Sequence, residues 1–188
     1  ANNMVGYFTP GNLGGLYASA QIAAGEGVKG NKYTGFRVGY AAGPMNVAVS
    51  TGNTVVSASA KDKHTNIAGS YDLGVAKLMA INSSFTNGTT NVKVTANQIG
   101  AQIPMGAGYI PVSYATAKNS ANSQEGNQFA IGYVHNLSKR TALYGTYSRL
   151  TTTGQNTIAS MGIASAYASQ VGGSNSATGI DLGVRHRF

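Results

Sequence analysis

The last ten residues, 179–188, read GIDLGVRHRF and alternate strictly between two kinds of side chain. One parity is mostly apolar and comprises Ile180, Leu182, Val184, His186 and Phe188. The other parity carries glycine and charge and comprises Gly179, Asp181, Gly183, Arg185 and Arg187. Because successive side chains of a strand point to opposite faces, this segment predicts a strand with one apolar face. The pattern recurs about every ten residues back to the start of the chain, which restricts the fold to a sheet of such strands.

Turn residues separate the alternating segments, which together predict eleven strands. The strands are expected at 3–8, 13–24, 33–41, 45–53, 66–72, 76–86, 92–104, 109–117, 128–136, 141–150 and 179–188. Helical periodicity occurs at 158–171, where a loop is the preferred interpretation. The predicted fold class is therefore all-β, an antiparallel up-and-down arrangement with hairpin connections.

The connections between these strands are of two lengths. The short turns lie at 9–12, 42–44, 73–75, 105–108 and 137–140. The longer polar loops lie at 24–31, 54–63, 87–90, 117–126 and 151–176, although 87–90 is short for this set. Alternation of short periplasmic turns with longer outer loops is typical of transmembrane β-barrels.

The composition agrees with a membrane barrel. Charged residues make up 10% of the chain, whereas soluble domains average about a quarter. The mean hydropathy is -0.09, and no run approaches the ~18 apolar residues of a membrane helix. Low charge with 26 Gly and 11 Tyr fits a transmembrane barrel, in which each strand gives only a weak hydropathy signal. The absence of cysteine excludes a disulfide framework and thiol chemistry.

The charge balance is strongly basic, with 13 Lys+Arg against 5 Asp+Glu and a formal net charge of +8. Such an excess often indicates nucleic acid or an acidic membrane surface as the partner. Here the cations are scattered singly along the chain, which disfavours both partners. We therefore prefer a barrel lumen that attracts anions, and we expect no nucleic-acid partner.

The number of strands also predicts which part of a barrel the chain forms. If the short turns are periplasmic, residue 188 ends in the periplasm and the strand at 3–8 enters from the outside. A self-contained bacterial barrel has an even number of strands. Residues 1–188 are therefore expected to form a single barrel domain that is incomplete at its N-terminus.

Three segments carry a resemblance to a known family: ANNMVGYFTPGNLGG at 1–15, YVHNLSKRTALYGTYS at 133–148, and the terminal GVRHRF. They resemble the general porins of beta-proteobacteria, which are trimers of 16-stranded barrels in the outer membrane of Gram-negative bacteria. The resemblance covers essentially the whole chain and implies that it forms the C-terminal eleven strands. The strand at 3–8 would then be the sixth strand, preceded by five strands and the constriction loop.

The resemblance also implies partners. We expect a homotrimer surrounded by outer-membrane lipid and lipopolysaccharide, with small anions and hydrophilic solutes as the permeating species. The last strand, with Val184, His186 and Phe188 on its apolar side, resembles the terminal strand of outer-membrane barrels and is assigned as an assembly signal. No cofactor is expected.

Candidate lining residues follow from alternation, because selectivity in a porin comes from pore diameter and lining charges. Phe36 and Val38 are expected to face lipid, which directs Arg37 into the lumen. The full set of candidates is Arg37, Lys77, Lys93, Asp181, Arg185 and Arg187. The strands that hold Lys77 and Lys93 have ambiguous parity. A lone strand arginine is most often merely solvated, and Arg185 and Arg187 are equally compatible with a structural or assembly role.

The lipid face follows from the same alternation. It is expected to carry Val5, Tyr7, Leu16, Val47, Val49, Ile67, Tyr71, Ile110, Val112, Tyr114, Phe129, Ile131 and Tyr133. Four tyrosines near the short-turn ends of strands would form an interfacial girdle: Tyr7, Tyr40, Tyr71 and Tyr133.

The favoured function is a water-filled channel for passive diffusion of small hydrophilic solutes and ions, with a preference for anions. A barrel enzyme is an alternative, but no G-x-S-x-G elbow or Ser/His/Asp arrangement stands out, so no enzymatic activity is expected. An adhesin or surface anchor would use the loop at 151–176, and a soluble ligand-binding barrel is the remaining alternative. His64, His135 and His186 are too dispersed to predict a metal site.

Overall fold

The computed structural model describes residues 3–25, 27, 30–121, 124–153 and 175–188, which form strands and their connections without a helix. The eleven strands are β1 (Met4–Phe8), β2 (Leu16–Ala23), β3 (Tyr33–Ala42), β4 (Met45–Val55), β5 (Lys61–Asp72), β6 (Lys77–Thr86), β7 (Lys93–Met105), β8 (Gly108–Asn119), β9 (Gln124–Asn136), β10 (Thr141–Thr153) and β11 (Ser176–His186). No helix among the described residues is long and apolar enough to cross a membrane.

The strands form one sheet in which the spatial order is the chain order, from β1 to β11. The pairs from β1 to β5 and from β8 to β11 are antiparallel. This order confirms the predicted all-β, antiparallel up-and-down fold.

The chain divides into two compact units. The first comprises Ala1–Tyr71 and Ala80–Ala96, which contain β1 to β5, most of β6 and the start of β7. The second comprises Asp72–Met79 and Asn97–Phe188, which contain most of β7 and all of β8 to β11.

Glycine permits the tightest connections. Gly43 and Gly106 are the first central residues of two-residue turns, with φ of 53° and 57°. A positive φ at this position is typical of the hairpin turn whose twist matches that of the flanking strands, and glycine adopts it without steric cost. The predicted short turns at 42–44 and 105–108 therefore agree with the structure.

Several strands extend further toward the longer loops than the sequence predicted. β5 begins at Lys61 rather than residue 66, and β9 begins at Gln124 rather than residue 128. The reason is visible in β5, where Lys61 to Thr65 are polar on both faces and show no apolar alternation. These residues nevertheless continue the ladder, since Lys61 pairs with Val55 of β4. The predicted loop at 151–176, with the ambiguous segment 158–171, lies largely outside the described residues.

Few large side chains are buried. Among the described residues the buried apolar positions are Ala23, Ala60, Ala117, Ala142 and Leu150. Many large apolar side chains on single faces of the strands are instead exposed, such as Val38 at 55%, Ile67 at 54% and Leu182 at 78%. An apolar surface of this extent needs a cover other than water.

Candidate functional site

Strand register sorts the side chains of the first unit into two faces. Val38 pairs with Ala18 of β2 and with Val49 of β4, and Val49 pairs with Ile67 of β5. Directly opposite residues share a face, so these side chains form one surface, the apolar face. The residues of the other parity form the polar face.

A polar row crosses the polar face from β2 to β6. Arg37 pairs with Ser19 and Ser50, and Ser50 pairs with Asn66. The Asn66 amide donates a hydrogen bond of 3.3 Å to Ser50 Oγ, and Ser83 Oγ donates one of 2.7 Å to Asn66 Oδ1. Arg37 lies on the other face of the sheet from Phe36 and Val38, as alternation predicted.

Arg37 also belongs to a small polar cluster with Tyr17 and Asn46. Its Nη2 lies 3.5 Å from Tyr17 Oη, and its Cζ lies 5.2 Å from the centre of the Tyr17 ring. The Tyr17 hydroxyl donates a hydrogen bond of 2.6 Å to Asn46 Oδ1. A guanidinium held near an aromatic face keeps its remaining N–H donors available to anions.

Glycines on the polar face make room for tyrosine rings. A Cβ at Gly39 would lie 2.2 Å from Cζ of Tyr17, and a Cβ at Gly52 would lie 2.7 Å from Oη of Tyr33. The rings therefore lie across neighbouring strands, in the manner of aromatic side chains that cover strand glycines. The same contact recurs in the second unit, where Tyr144 covers Gly183.

The second unit has the same two-faced register. Ile131 pairs with Val112 and Tyr147, and Tyr147 pairs with Ile180, which defines its apolar face. On the opposite parity of β11, Asp181 pairs with Thr146 and Arg185 pairs with Ala142.

By alternation, Arg187 lies on the same polar side as Asp181 and Arg185. Its backbone N–H donates a hydrogen bond of 2.9 Å to the Arg140 carbonyl. Asp181 and Arg185 are four residues apart on β11, or about 13 Å. The charged candidates of β11 thus share a face, but Asp181 and Arg185 are not adjacent. Their role as lining residues stays a prediction.

The two lysines whose parity was ambiguous lie on different sides of their strands. Lys77 has the parity of Ser83 on β6, and Ser83 bonds to Asn66 of the polar row. Lys93 has the parity of Ile99 and Ile103 on β7, which are 62% and 40% exposed. Alternation therefore places Lys77 on the polar side of its strand and Lys93 on the apolar side.

The terminal strand presents Val184 and His186 on the apolar face. Val184 pairs with Leu143, and His186 pairs with Thr141, whose Oγ1 lies 2.9 Å from His186 Nδ1. The ring of Phe188 meets that of His186 edge-on, with centres 5.0 Å apart. The assignment of this strand as an assembly signal stays a prediction.

Histidines take part in local contacts. His64 lies 4.6 Å from the Phe85 ring, and His135 Nδ1 lies 3.3 Å from the Tyr133 hydroxyl. Within the described ranges, no three His, Cys, Asp or Glu residues lie close enough together to hold a metal ion.

Sequence reasoning missed most of the polar row and its cluster. Tyr17, Asn46, Ser50, Asn66 and Ser83 were not proposed as lining residues because they are uncharged. For β4 the signal was present, since Asn46 and Ser50 alternate with Val47 and Val49. For Asn66 and Ser83 the face becomes clear only from pairing between strands.

Comparisons with known proteins support this architecture. A family model described as Gram-negative porin matches residues 1–156. The chain is 33% identical over 201 residues to outer membrane porin protein 32 of Delftia acidovorans, over 100% of this chain and 57% of that relative.

Solved structures are similar as well. An anion-selective porin from Comamonas acidovorans has a TM-score of 0.85 at 32% identity, over 100% of this chain and 60% of that one. A trimer form of OmpT from Vibrio cholerae has a TM-score of 0.67 at 13% identity, over 97% of this chain and 64% of that one, which shows a shared fold alone. The chain thus spans less than two thirds of these relatives.

The predicted resemblance to porins is confirmed by these matches. Porins of this kind are channels of the outer membrane and not enzymes. Since the family model covers most of the chain, the protein is a member of the Gram-negative porin family.

Proposed function

We propose that the protein contributes eleven strands to a water-filled outer-membrane channel for small hydrophilic solutes and ions, with a preference for anions. The observation that carries the proposal is the polar row centred on Arg37, which lies on the face opposite exposed Val38 and Val49. A sheet with one apolar and one polar face fits a barrel wall between lipid and water. Because the chain spans 57% of outer membrane porin protein 32, we propose that its eleven strands form part of a larger barrel wall.

The anion preference follows from charge. A lining cation lowers the energy of an anion ~4 Å away by about 1 kcal/mol in bulk water, and by more beside low-dielectric walls. We propose Arg37, Lys77, Arg185 and Arg187 as lining cations and Asp181 as a lining anion. Lys93 is left out because alternation along β7 favours the apolar side. The similar Comamonas porin is described as anion-selective, which agrees with this choice.

The assembly is proposed to be a homotrimer embedded in outer-membrane lipid and lipopolysaccharide. The exposed side chains of the apolar face need a cover, which lipid and neighbouring protomers would supply. An outer membrane protein of the same fold, OmpT, is described in a trimer form.

Single-channel recording of the native, detergent-extracted particle in a planar bilayer tests the function. Under a KCl gradient we expect stepwise insertions in threes and a reversal potential that favours chloride. A reversal potential that favours potassium would contradict the anion preference, but the insertion steps would still support a channel. A failure of the intact particle to insert would contradict the channel and favour an adhesin or surface anchor.

A further inference from the structure

Among the described residues from 30 to 72, the apolar face of the first unit carries lysines at one end of its strands. Lys61 and Lys63 of β5 have the parity of Ile67, which pairs with Val49 of the apolar face. Lys32, directly before β3, has the parity of Phe36 and Val38. All three lysines are exposed, and all lie at the strand ends next to the longer loops.

The lysines are close to one another. Val55 lies between two of them, because it pairs with Lys61 and donates its N–H to the Lys32 carbonyl at 2.8 Å. Two strand spacings separate Lys32 from Lys61, or about 9.5 Å, and two residues along β5 separate Lys61 from Lys63, or about 6.6 Å. Flexible lysine side chains can bring charges at these separations onto one ligand.

The opposite end of this face has a different chemistry. Tyr40, Met45 and Tyr71 occupy the apolar face beside the short turns, with Met45 paired to Tyr71. Among the described residues of β3, β4 and β5, the short-turn end of this face holds no lysine or arginine. The cations therefore mark one boundary of the apolar face and not both.

Position along the strand matches the edge of a membrane. Lys63 is eight residues from Tyr71 on β5, or about 26 Å along the strand, which is about 20 Å along the membrane normal at a 35–45° tilt. The apolar band of such barrels is about 25 Å tall. By the same measure Lys61 lies about 25 Å above Tyr71, at the upper boundary of the band, and Lys63 lies about 5 Å below that boundary, from where a long side chain reaches the headgroup region.

The nearby acid of the same strand does not neutralise this group. Asp62 has the opposite parity, and its Oδ1 accepts a hydrogen bond of 2.8 Å from the Gly88 N–H. Lysines on a lipid-facing surface without an acid of the same strand beside them are complementary to an anionic headgroup.

We propose that Lys32, Lys61 and Lys63 form a binding site for the phosphate groups of lipopolysaccharide in the outer leaflet. The inference rests on the proposed orientation, with the longer loops outward, and adds a site on the lipid side that the channel itself does not need. The ligand chemistry is a phosphorylated glycolipid whose acyl chains lie against Val38, Val49 and Ile67 while its phosphates meet the lysines.

The test compares Lys61→Gln/Lys63→Gln with a matched control, Lys139→Gln/Arg140→Gln, which removes the same charge at a short turn. Both variants are made in the native particle and titrated with bisphosphorylated lipid A in detergent. We expect the first variant to bind about fivefold more weakly for each lysine removed, the control to bind like the wild type, and dephosphorylated lipid A to bind weakly to all three.

Any of four results would overturn the site: equal binding by the double-lysine variant, an equal loss in the control, equal binding of dephosphorylated lipid A, or preference for phosphatidylglycerol over lipid A. Conductance of the same samples in a phospholipid bilayer separates this inference from the channel. Unchanged conductance in the double-lysine variant supports a site outside the lumen, whereas a change in ion selectivity counts against it.

Discussion

The Tyr17 hydroxyl donates a 2.6 Å hydrogen bond to Asn46 Oδ1, although strand β3 lies between their two strands. The bond is possible because Tyr17 pairs with Gly39, whose missing side chain leaves the ring a path across β3. The contact also places the ring next to the Arg37 guanidinium. A glycine in one strand thus determines the surroundings of a cation two residues away.

Replacement of Gly39 by alanine is expected to displace the Tyr17 ring, since the new Cβ would lie 2.2 Å from Tyr17 Cζ. Loss of the Asn46 bond and the crowding together should lower the free energy of unfolding by about 1–3 kcal/mol. Urea unfolding measures this, with Gly69→Ala as the control, because its Cβ would meet Val47 Cγ1 at an ordinary 3.4 Å. In a Tyr17→Ala background the cost of Gly39→Ala should largely disappear; a cost that persists there would contradict the mechanism.

Neighbouring residues of β4 provide a test of the two faces. Val49→Lys puts a charge on the apolar face, about 10 Å above the short turn, and should destabilise the folded protein in bilayers by about 2–4 kcal/mol. Ser50→Lys puts the same charge on the polar face, where the lost Asn66 hydrogen bond and the paired Arg37 should cost only about 1 kcal/mol, and it should raise chloride preference. Similar unfolding midpoints for the two variants in lipid vesicles would show that the faces are assigned incorrectly.

Removal of the Arg37 charge is expected to weaken anion preference. Arg37→Gln should lower the chloride-to-potassium permeability ratio by up to about fivefold, which corresponds to about 1 kcal/mol for one cation near the ion path. Reversal potentials under a KCl gradient measure the ratio. Arg149→Gln is the matched control, because Arg149 pairs with Phe129 and Thr178 on the parity of the apolar face. An equal change in both variants would point to an effect of total charge.

Asn66→Asp adds an anion to the polar row with almost no change of shape. The carboxylate can accept hydrogen bonds from Ser83 and Ser50, so the variant should fold like the wild type. We expect a fall in chloride preference comparable with that of Arg37→Gln. If the reversal potential does not move although the variant inserts normally, Asn66 does not line the ion path.

Added salt is expected to reduce the anion preference, because it screens the lining charges. The Debye length shortens from about 10 Å at 0.1 M to about 3 Å at 1 M, so the influence of lining charges contracts to their immediate surroundings. Permeability ratios measured at a constant gradient across this range should approach the ratio of the free mobilities of the two ions. A ratio that is constant from dilute to molar salt would assign the selectivity to pore shape instead.

The sequence predicted the sheet well because alternation is a strong local signal in most strands. Ile180, Leu182 and Val184 suffice to define the faces of β11, and Phe36 and Val38 suffice for Arg37. The start of β5 was missed because Lys61 to Thr65 lie beyond the apolar region, where both faces of a strand can be polar.

The site was predicted less completely for a different reason. On β6, Met79, Ile81 and Phe85 share the parity of Lys77, so alternation alone gives no clear lipid side. Ser83 settles the parity only through its bond to Asn66 on another strand. The face of Asn66 likewise becomes clear only from its pairing with Ser50 on the neighbouring strand, which a single sequence does not contain.

The contact of Tyr17 with Gly39 also bears on how the strands find their alignment during folding. Slippage of a strand by one residue exchanges its two faces and is opposed by the apolar pattern, but slippage by two residues leaves that pattern intact. A two-residue shift of β3 would bring Arg37 or Ala41 opposite Tyr17, and either residue would place a side chain in the path of the ring. The contact between this tyrosine and this glycine can therefore disfavour misaligned pairings that the hydrophobic pattern alone would allow.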